Sequence, residues 1–180
     1  MIVSFANCYF NEKCTYFSNP DKRNQWLDID QVIQPVLKRE LFSIKVLLCV
    51  WWSFEGVIHF ELILNDVALD TDLCCAKLNQ MFVKLHQKNP SLFNRKHVLL
   101  QQYNAKPHTT KKTVEKIKEL DSVELLPDPA YSPDLSPSDY HLFQAIAHFL
   151  TGRTFNNVDE VERRCLDFFG SKDKESYHRG

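Results

Sequence analysis

A long apolar run constrains the fold of this chain more than any other feature. Residues 44–52 (IKVLLCVWW) are followed by four turn-forming residues, and residues 57–64 (VIHFELIL) then return with a similar composition. Runs of this kind are typical of strands that are covered on both faces. The pattern predicts a β-hairpin inside a sheet. We expect Trp51 and Trp52 to be core residues, one on each face, with base stacking as the alternative.

Weaker patterns flank this hairpin and complete a mixed α/β prediction. Residues 2–10, 97–102 and 123–126 have strand composition, whereas helical spacing predicts helices over 70–88 and 109–120. Ser136 and Pro137 have the form of a helix start that runs to about residue 150, and Asn157 begins a last helix. Residues 18–42 are polar and contain two prolines, which predicts an extended insertion or long loop. Strands first, then strands alternating with helices, indicate one α/β domain.

Composition excludes several classes of protein. The chain has 180 residues, 44% of them hydrophobic, with 22 Lys and Arg against 23 Asp and Glu. These values exclude intrinsic disorder and a wholly basic coat protein, and no apolar run is long enough to span a bilayer. The six cysteines form no C-x-x-C pair, which argues against a structural zinc site or a disulfide framework and favours reduced thiols.

Three segments together carry a family resemblance. They are residues 101–108 (QQYNAKPH), residues 129–143 (PAYSPDLSPSDYHLF), and residues 50–53 (VWWS) with 56–60 (GVIHF). The chain resembles the catalytic domain of mariner-type (Tc1/mariner) DNA transposases, whose pattern is roughly H-D-N-A-R-P-H followed by P-x-Y-S-P-D-L-x-P-x-D/N-Y-H-x-F. Residues 11–13 (NEK) and 25–28 (QWLD) match as well, so the resemblance spans nearly the whole chain.

This resemblance implies an architecture and an activity. The implied fold is RNase H-like, a five-stranded mixed sheet flanked by helices, forming a single catalytic domain over residues 1–180. The 18–42 insertion resembles a loop that reaches the partner subunit of a homodimer, and the family's N-terminal helix-turn-helix pair and C-terminal end are expected to be missing. The implied activity is DNA strand cleavage and transfer at transposon ends with Mg²⁺ or Mn²⁺, and the implied location is the nucleus.

The family's metal ligands are three carboxylates, and this chain departs from two of them. The matching positions are Asn11, Tyr103 and Asp139, so only the third acid is retained. Two-metal cleavage needs hard anionic oxygens. An amide carbonyl is a weak ligand, and a neutral phenol with a pKa near 10 is a poor one whose ring fills the space of a metal. We therefore expect no metal, or a weakly bound one, and a catalytically inactive domain.

Each nearby polar residue has a plainer alternative role. Asp139 is either a vestigial ligand or only a helix-capping acid, and Asp134 is either a shifted ligand or a turn residue. His108 and His141 either line the cleft or are hydrogen-bonded structural histidines. Glu12 cannot replace its neighbour as a ligand, because adjacent strand residues point to opposite faces.

Positive charge is concentrated between residues 94 and 118, where seven cations accompany one acid, Glu115. Such a segment favours contact with DNA phosphates, and the alternative is a solvated helix face. The candidate DNA-contact residues are Arg95, Lys96, Lys106, His108, Lys111 and Lys112. Three functional hypotheses follow: an inactive DNA-binding domain, an active metal-dependent transposase or endonuclease, and a protein-protein interaction or dimerisation module.

Overall fold

A five-stranded mixed sheet organises the molecule. The structure, a computed structural model, describes residues 6–20, 44–64, 70–88, 90, 98–102, 104–120, 123–126 and 132–178. In spatial order the strands are β4, β3, β1, β5 and β6. Their bounds are Ala6–Tyr16 (β1), Lys45–Ser53 (β3), Gly56–Leu64 (β4), Val98–Gln102 (β5) and Val123–Leu126 (β6). The pairs β4–β3 and β3–β1 are antiparallel, and β1–β5 and β5–β6 are parallel. The predicted mixed sheet is confirmed.

The predicted hairpin is confirmed and separates two hydrophobic cores. Strands β3 and β4 turn at Gly56, whose φ of 125° suits a residue without a Cβ. Trp51 belongs to the core under one face of the sheet and Trp52 to the core under the other, each 1% exposed. Both indoles are therefore core residues, as expected for consecutive positions on a strand covered twice.

Helices cover both faces of the sheet. Helix α1 (Thr71–Lys88) begins at Asp70, whose side chain accepts the backbone N–H of Leu73, and it supplies Leu78, Met81 and Leu85 to the core that contains Trp51. On the opposite face, a π-helical segment (Ser138–Phe143) continues as α4. The remaining helices are α2 (Lys106–Thr109), α3 (Lys111–Lys118), α4 (Gln144–Leu150), α5 (Val158–Gly170) and α6 (Lys174–His178).

Two predicted boundaries were wrong. The first strand was expected to end at residue 10, but β1 continues to Tyr16 because residues 8–16 pair with β3 throughout. The helix expected over 109–120 is divided at Thr110, which has an extended backbone and caps α3 through its hydroxyl. In β1 the polar side chains that obscured the pattern have partners distant in sequence, whereas Thr110 has a local capping role.

A small second sheet closes the far end of β1. Strand β2 (Ser18–Asn19) pairs with β7 (Arg153–Thr154), so the first two residues of the insertion predicted over 18–42 form a strand and not a loop. Residues 21–42 of that insertion lie outside the described residues. All six cysteines are free thiols, as expected. Within the described ranges, no helix is long and apolar enough to cross a membrane.

Candidate functional site

The retained acid of the predicted site lies in a cleft beside β1. Asp139 is in the first turn of the π-helical segment and is half-buried. The cleft has a volume of about 390 Å³ and is lined by Lys13, Asp134, Asp139, Tyr140 and Gln144. Lys13 also stands over the Phe143 ring, 5.6 Å from its centroid. Asp139 and Asp134, both considered as ligands in the sequence analysis, line this cleft, whereas Lys13 was not singled out there.

Two hydroxyl groups hold the Asp139 helix against the sheet. The Asn11 amide donates to Ser136 Oγ at 3.0 Å, and Trp52 Nε1–H donates to Ser138 Oγ at 2.9 Å. Asn11 and both serines are buried. Ser136 was expected to cap the helix with its side chain. Its hydroxyl instead binds Asn11, while its backbone carbonyl accepts the N–H of Asp139.

Among the described residues that line the cleft, Asp134 is the one carboxylate that accompanies Asp139. Asn11, the family's first acid position, presents its NH₂ group to Ser136, and Tyr103, the second position, lies outside the described residues. Among the residues that the structure describes, no group of three or more His, Cys, Asp or Glu side chains could hold a metal ion. The described donor set therefore does not fit a pair of divalent cations, which need several hard anionic oxygens.

Glu12 points away from the cleft, as predicted. Asn11 and Glu12 are neighbours on β1, and the Glu12 carboxylate lies on the opposite face beside His108. Nε2 of His108 is 3.0 Å and 3.2 Å from the two Glu12 oxygens. Nδ1 of the same ring is 3.3 Å from Cys74 Sγ on α1. These three side chains form a buried polar cluster, which we call the Glu12–His108–Cys74 cluster.

The surroundings of His108 determine its protonation. Burial alone lowers the pKa of His108, but the hydrogen bonds to Cys74 and Glu12 and the negative charge of Glu12 outweigh it and raise the pKa to about 9. The imidazolium form is therefore favoured at neutral pH. Its side chain is 0% exposed. The expected DNA contact of His108 is wrong for this conformation, because solvent does not reach the ring.

His141 and Asp134 match their plainer alternatives. His141 Nε2–H donates to the backbone carbonyl of Ser176 at 2.7 Å, which ties the π-helical segment to α6. Asp134 is exposed within a 3₁₀ turn (Pro133–Leu135) at the mouth of the cleft. Asp139 makes no side-chain hydrogen bond with a described residue, so no capping box is closed through this acid within the described part of the chain.

The candidate DNA-contact lysines are exposed on α2 and α3, but several are paired. Lys112 forms an ion pair with Asp72 of α1, and Lys111 lies 3.7 Å from Glu115. Lys116 pairs with Glu119 at 2.9 Å. Lys106 is exposed and has no ion-pair partner among the described residues, whereas Arg95 and Lys96 lie outside them. Acids from other segments therefore reduce the positive charge that the sequence count suggested.

Sequence reasoning missed the contacts that assemble this site. Ser136 and Ser138 form hydrogen bonds to strand residues more than 80 positions away, and Glu12 meets His108 across 96 positions. The only available signal was strand alternation, which places Glu12 opposite Asn11 without naming a partner.

A family model described as a transposase, partial DDE domain, matches residues 16–95. The mixed sheet, its flanking helices and the retained Asp139 fit this class, and the fold is the RNase H-like fold of the DDE transposases.

The chain is 33% identical to the mariner Mos1 transposase of Drosophila mauritiana over 94% of its own length and 49% of that protein. The chain is also 33% identical to the human histone-lysine N-methyltransferase SETMAR over 94% of its own length, and it covers 25% of that protein. The chain belongs to the mariner-type transposase family. It spans about half and a quarter, respectively, of these two curated relatives.

Solved structures of the Mos1 protein have the same fold. A pre-cleavage Mos1 transpososome matches with a TM-score of 0.88 and 32% identity, covering 96% of this chain and 51% of that one. The Mos1 catalytic domain alone matches with a TM-score of 0.78 and 31% identity, covering 96% and 74%. Two further matches are Mos1 paired-end complexes, one with Mn and one with Mg.

Proposed function

We propose that this chain is a mariner transposase-derived DNA-binding domain that does not cleave strands. The observation that carries the proposal is the Asn11–Ser136 hydrogen bond, in which a buried amide donates at the position where the family has an acid. A second family acid is replaced by Tyr103. The Mn and Mg complexes of Mos1 support divalent-metal use by that relative.

The loss of ligands weakens metal binding for an electrostatic reason. The three family positions here offer one carboxylate, Asp139, against the charge of two divalent cations. Mg²⁺ gives up its hydration shell reluctantly and is held by carboxylates in near-octahedral geometry. An amide whose NH₂ group faces the helix start does not replace a carboxylate. A metal is thus absent or only weakly bound, and hydrolysis that depends on two metals does not proceed.

DNA is the proposed partner for two reasons. One of the related Mos1 structures is a transpososome, and another is a paired-end complex with the left transposon end. In this chain, α2 and α3 present Lys106 and Lys111 to solvent, with Arg95 and Lys96 a short distance earlier in the sequence. Phosphate contacts of this type bind without sequence preference and weaken as salt increases. A nuclear location and homodimerisation through residues 18–42 are part of the same proposal.

A nicking assay tests the inactivity directly. Supercoiled DNA is incubated with Mg²⁺ or Mn²⁺ and the wild type, the double variant Asn11→Asp with Tyr103→Asp, or that variant with Asp139→Ala added. We expect no nicking by the wild type, restored nicking by the double variant, and loss of nicking when Asp139 is also removed. Metal-dependent nicking by the wild type that Asp139→Ala abolishes would show an active nuclease instead.

A DNA titration tests the partner. Labelled duplexes of two unrelated sequences are titrated with the wild type at 50 and 200 mM salt. We expect similar affinities for both sequences and a steep loss of affinity at the higher salt. A dimer or hetero-complex that forms without any DNA affinity at 50 mM salt would instead support a protein-interaction module.

A further inference from the structure

A cleft with an excess of positive charge lies on the opposite side of the sheet from α2 and α3. It opens between β7 and α5, has a volume of about 480 Å³, and is lined by three arginines, Arg153, Arg163 and Arg164. The β7–α5 region packs with the core that contains Trp52, whereas α3 packs with the core that contains Trp51. This arginine cleft is therefore separate from the lysines considered above.

Two of the three guanidinium groups are held in place by one aromatic ring. Arg153 and Arg164 lie over Phe149 of α4, with guanidinium carbons 5.9 Å and 5.7 Å from the ring centroid. Arg164 also donates to Asp167 at 3.1 Å. Cation–π contacts of this type fix the orientation of the guanidinium and leave its N–H groups available. The cleft is thus organised before any ligand arrives.

Both acids that line this cleft, Asp167 and Glu160, have hydrogen-bond partners close by. Asp167 is paired with Arg164. Glu160 accepts the backbone N–H of Asn156 at 2.8 Å, while its own N–H donates to Asn157 Oδ1, which closes a capping box at the start of α5. Within the described ranges no carboxylate lies within ion-pair distance of Arg153 or Arg163. The guanidinium groups of Arg153 and Arg163 are exposed and outside ion-pair contact, although, after the hydrogen bonds from Asn156, the positive charge of Arg163 contributes to a lowered pKa of Glu160.

We propose that the arginine cleft binds the phosphodiester backbone of DNA as a contact surface independent of α2 and α3. Guanidinium groups match phosphate oxygens through paired N–H donors, and they lose less hydration than ammonium groups on contact. The cleft is open and polar, which suits a continuous backbone. The inference rests on the proposed DNA binding and adds to it a named surface.

The test compares salt dependences of DNA binding. Binding of a labelled duplex is measured between 50 and 200 mM salt for the wild type, the double variant Arg153→Gln with Arg163→Gln, and the control Lys88→Gln with Lys174→Gln. The control removes the same charge from exposed lysines outside both surfaces. Each phosphate contact contributes about −0.9 to the slope of log K against log salt. We expect the arginine variant to flatten the slope by about 1.8 and the control to change it far less.

Charge-retaining variants and a check of folding complete the test. The substitutions Arg153→Lys and Arg163→Lys retain the charge and should restore most of the slope. Circular dichroism checks that all variants are folded. The inference is overturned if the glutamine variant and the control have the same slope. That outcome overturns it even if calorimetry shows that inorganic phosphate binds the wild type. A wild type without DNA affinity at 50 mM salt would instead overturn the proposed function itself.

Discussion

Two consecutive residues of β1, Asn11 and Glu12, lie on opposite faces of the sheet and have different polar surroundings. Asn11 is buried on the face that carries the Asp139 helix, is neutral, and donates a side-chain hydrogen bond to Ser136. Glu12 faces the interior, where its carboxylate, His108 and Cys74 form a buried cluster. A charge that is buried and paired is costly to lose, whereas a neutral hydrogen-bonded amide costs less to replace. Stability therefore protects Glu12 more strongly than Asn11.

This difference gives a physical account of how a metal site can be lost while its fold persists. The cleft carboxylates of the family serve a ligand, and in the absence of metal they repel one another. Under the proposed function, Asn11 removes that repulsion, and its amide is hydrogen-bonded to Ser136. The Glu12–His108–Cys74 cluster joins β1, α1 and α2, so its loss would loosen three elements at once.

Among the predictions that test this contrast, removal of Glu12 is expected to have the largest effect on stability. Glu12→Ala leaves His108 without its carboxylate in a site that is 0% exposed, and we expect the free energy of unfolding to fall by about 3–5 kcal/mol. Urea unfolding at pH 7 measures the effect. Glu124→Ala on β6, an exposed glutamate of the same sheet, is the control and should cost less than about 0.5 kcal/mol. Equal losses in the two variants would contradict the assigned role of the cluster.

The pH dependence of stability tests the same cluster. The pKa of His108 is raised to about 9 in the folded state, above the ordinary value of about 6.5 expected after unfolding. The folded state then binds the extra proton, so the stabilisation is complete below about pH 6.5 and is lost as the pH rises through 9. We expect a loss of up to about 3 kcal/mol between pH 6.5 and 9.5.

Subtracting the pH profile of the Glu12→Ala variant isolates this contribution from other groups that titrate in the same range. The difference between the two proteins should shrink steadily as the pH increases. A difference that stays constant from pH 6.5 to 9.5 would mean that His108 is already neutral at pH 7.

The sequence predicted the sheet well because its central strands are apolar on both faces. Residues such as Val50, Trp51 and Trp52 can be satisfied only by burial, so their pattern specifies a covered hairpin and little else. The end of β1 was mispredicted at residue 10 because residues 11–15 include polar side chains, whose burial depends on partners such as Ser136 and His108. Strand propensity carries no information about partners that are distant in sequence.

The geometry of the site was not predictable from the sequence. The family resemblance singled out Asp139 and Asn11, and the structure brings the helical segment that carries Asp139 against the strand that carries Asn11. The burial of His108 was not predictable, because a histidine after a strand is as compatible with a cleft as with a core. The ion pairs of Lys112 and Lys116 reduce a charge count that considered only one segment.

Ser136→Ala tests the face of β1 that carries Asn11, where the expected loss of stability is smaller. The substitution leaves the buried Asn11 amide without its acceptor, and we expect a loss of about 1–2 kcal/mol in the free energy of unfolding. Combining it with Asn11→Leu removes both partners, so the double variant should lose less than the sum of the single losses. Strict additivity in urea unfolding would show that the two side chains do not interact.

Asp139→Asn should have the smallest effect. Asp139 is half-buried and contributes mainly its charge near a helix start, so we expect the free energy of unfolding to change by less than about 0.5 kcal/mol.

Mn²⁺ extends the test, since a ligand at a hundred times its Kd stabilises the protein that binds it by about 2.7 kcal/mol. We expect no Mn²⁺-dependent rise in Tm for the wild type or for Asp139→Asn. The double variant Asn11→Asp with Tyr103→Asp should gain such a rise, and adding Asp139→Asn should remove it. A wild-type rise that disappears with Asp139→Asn would show that the cleft still holds a metal.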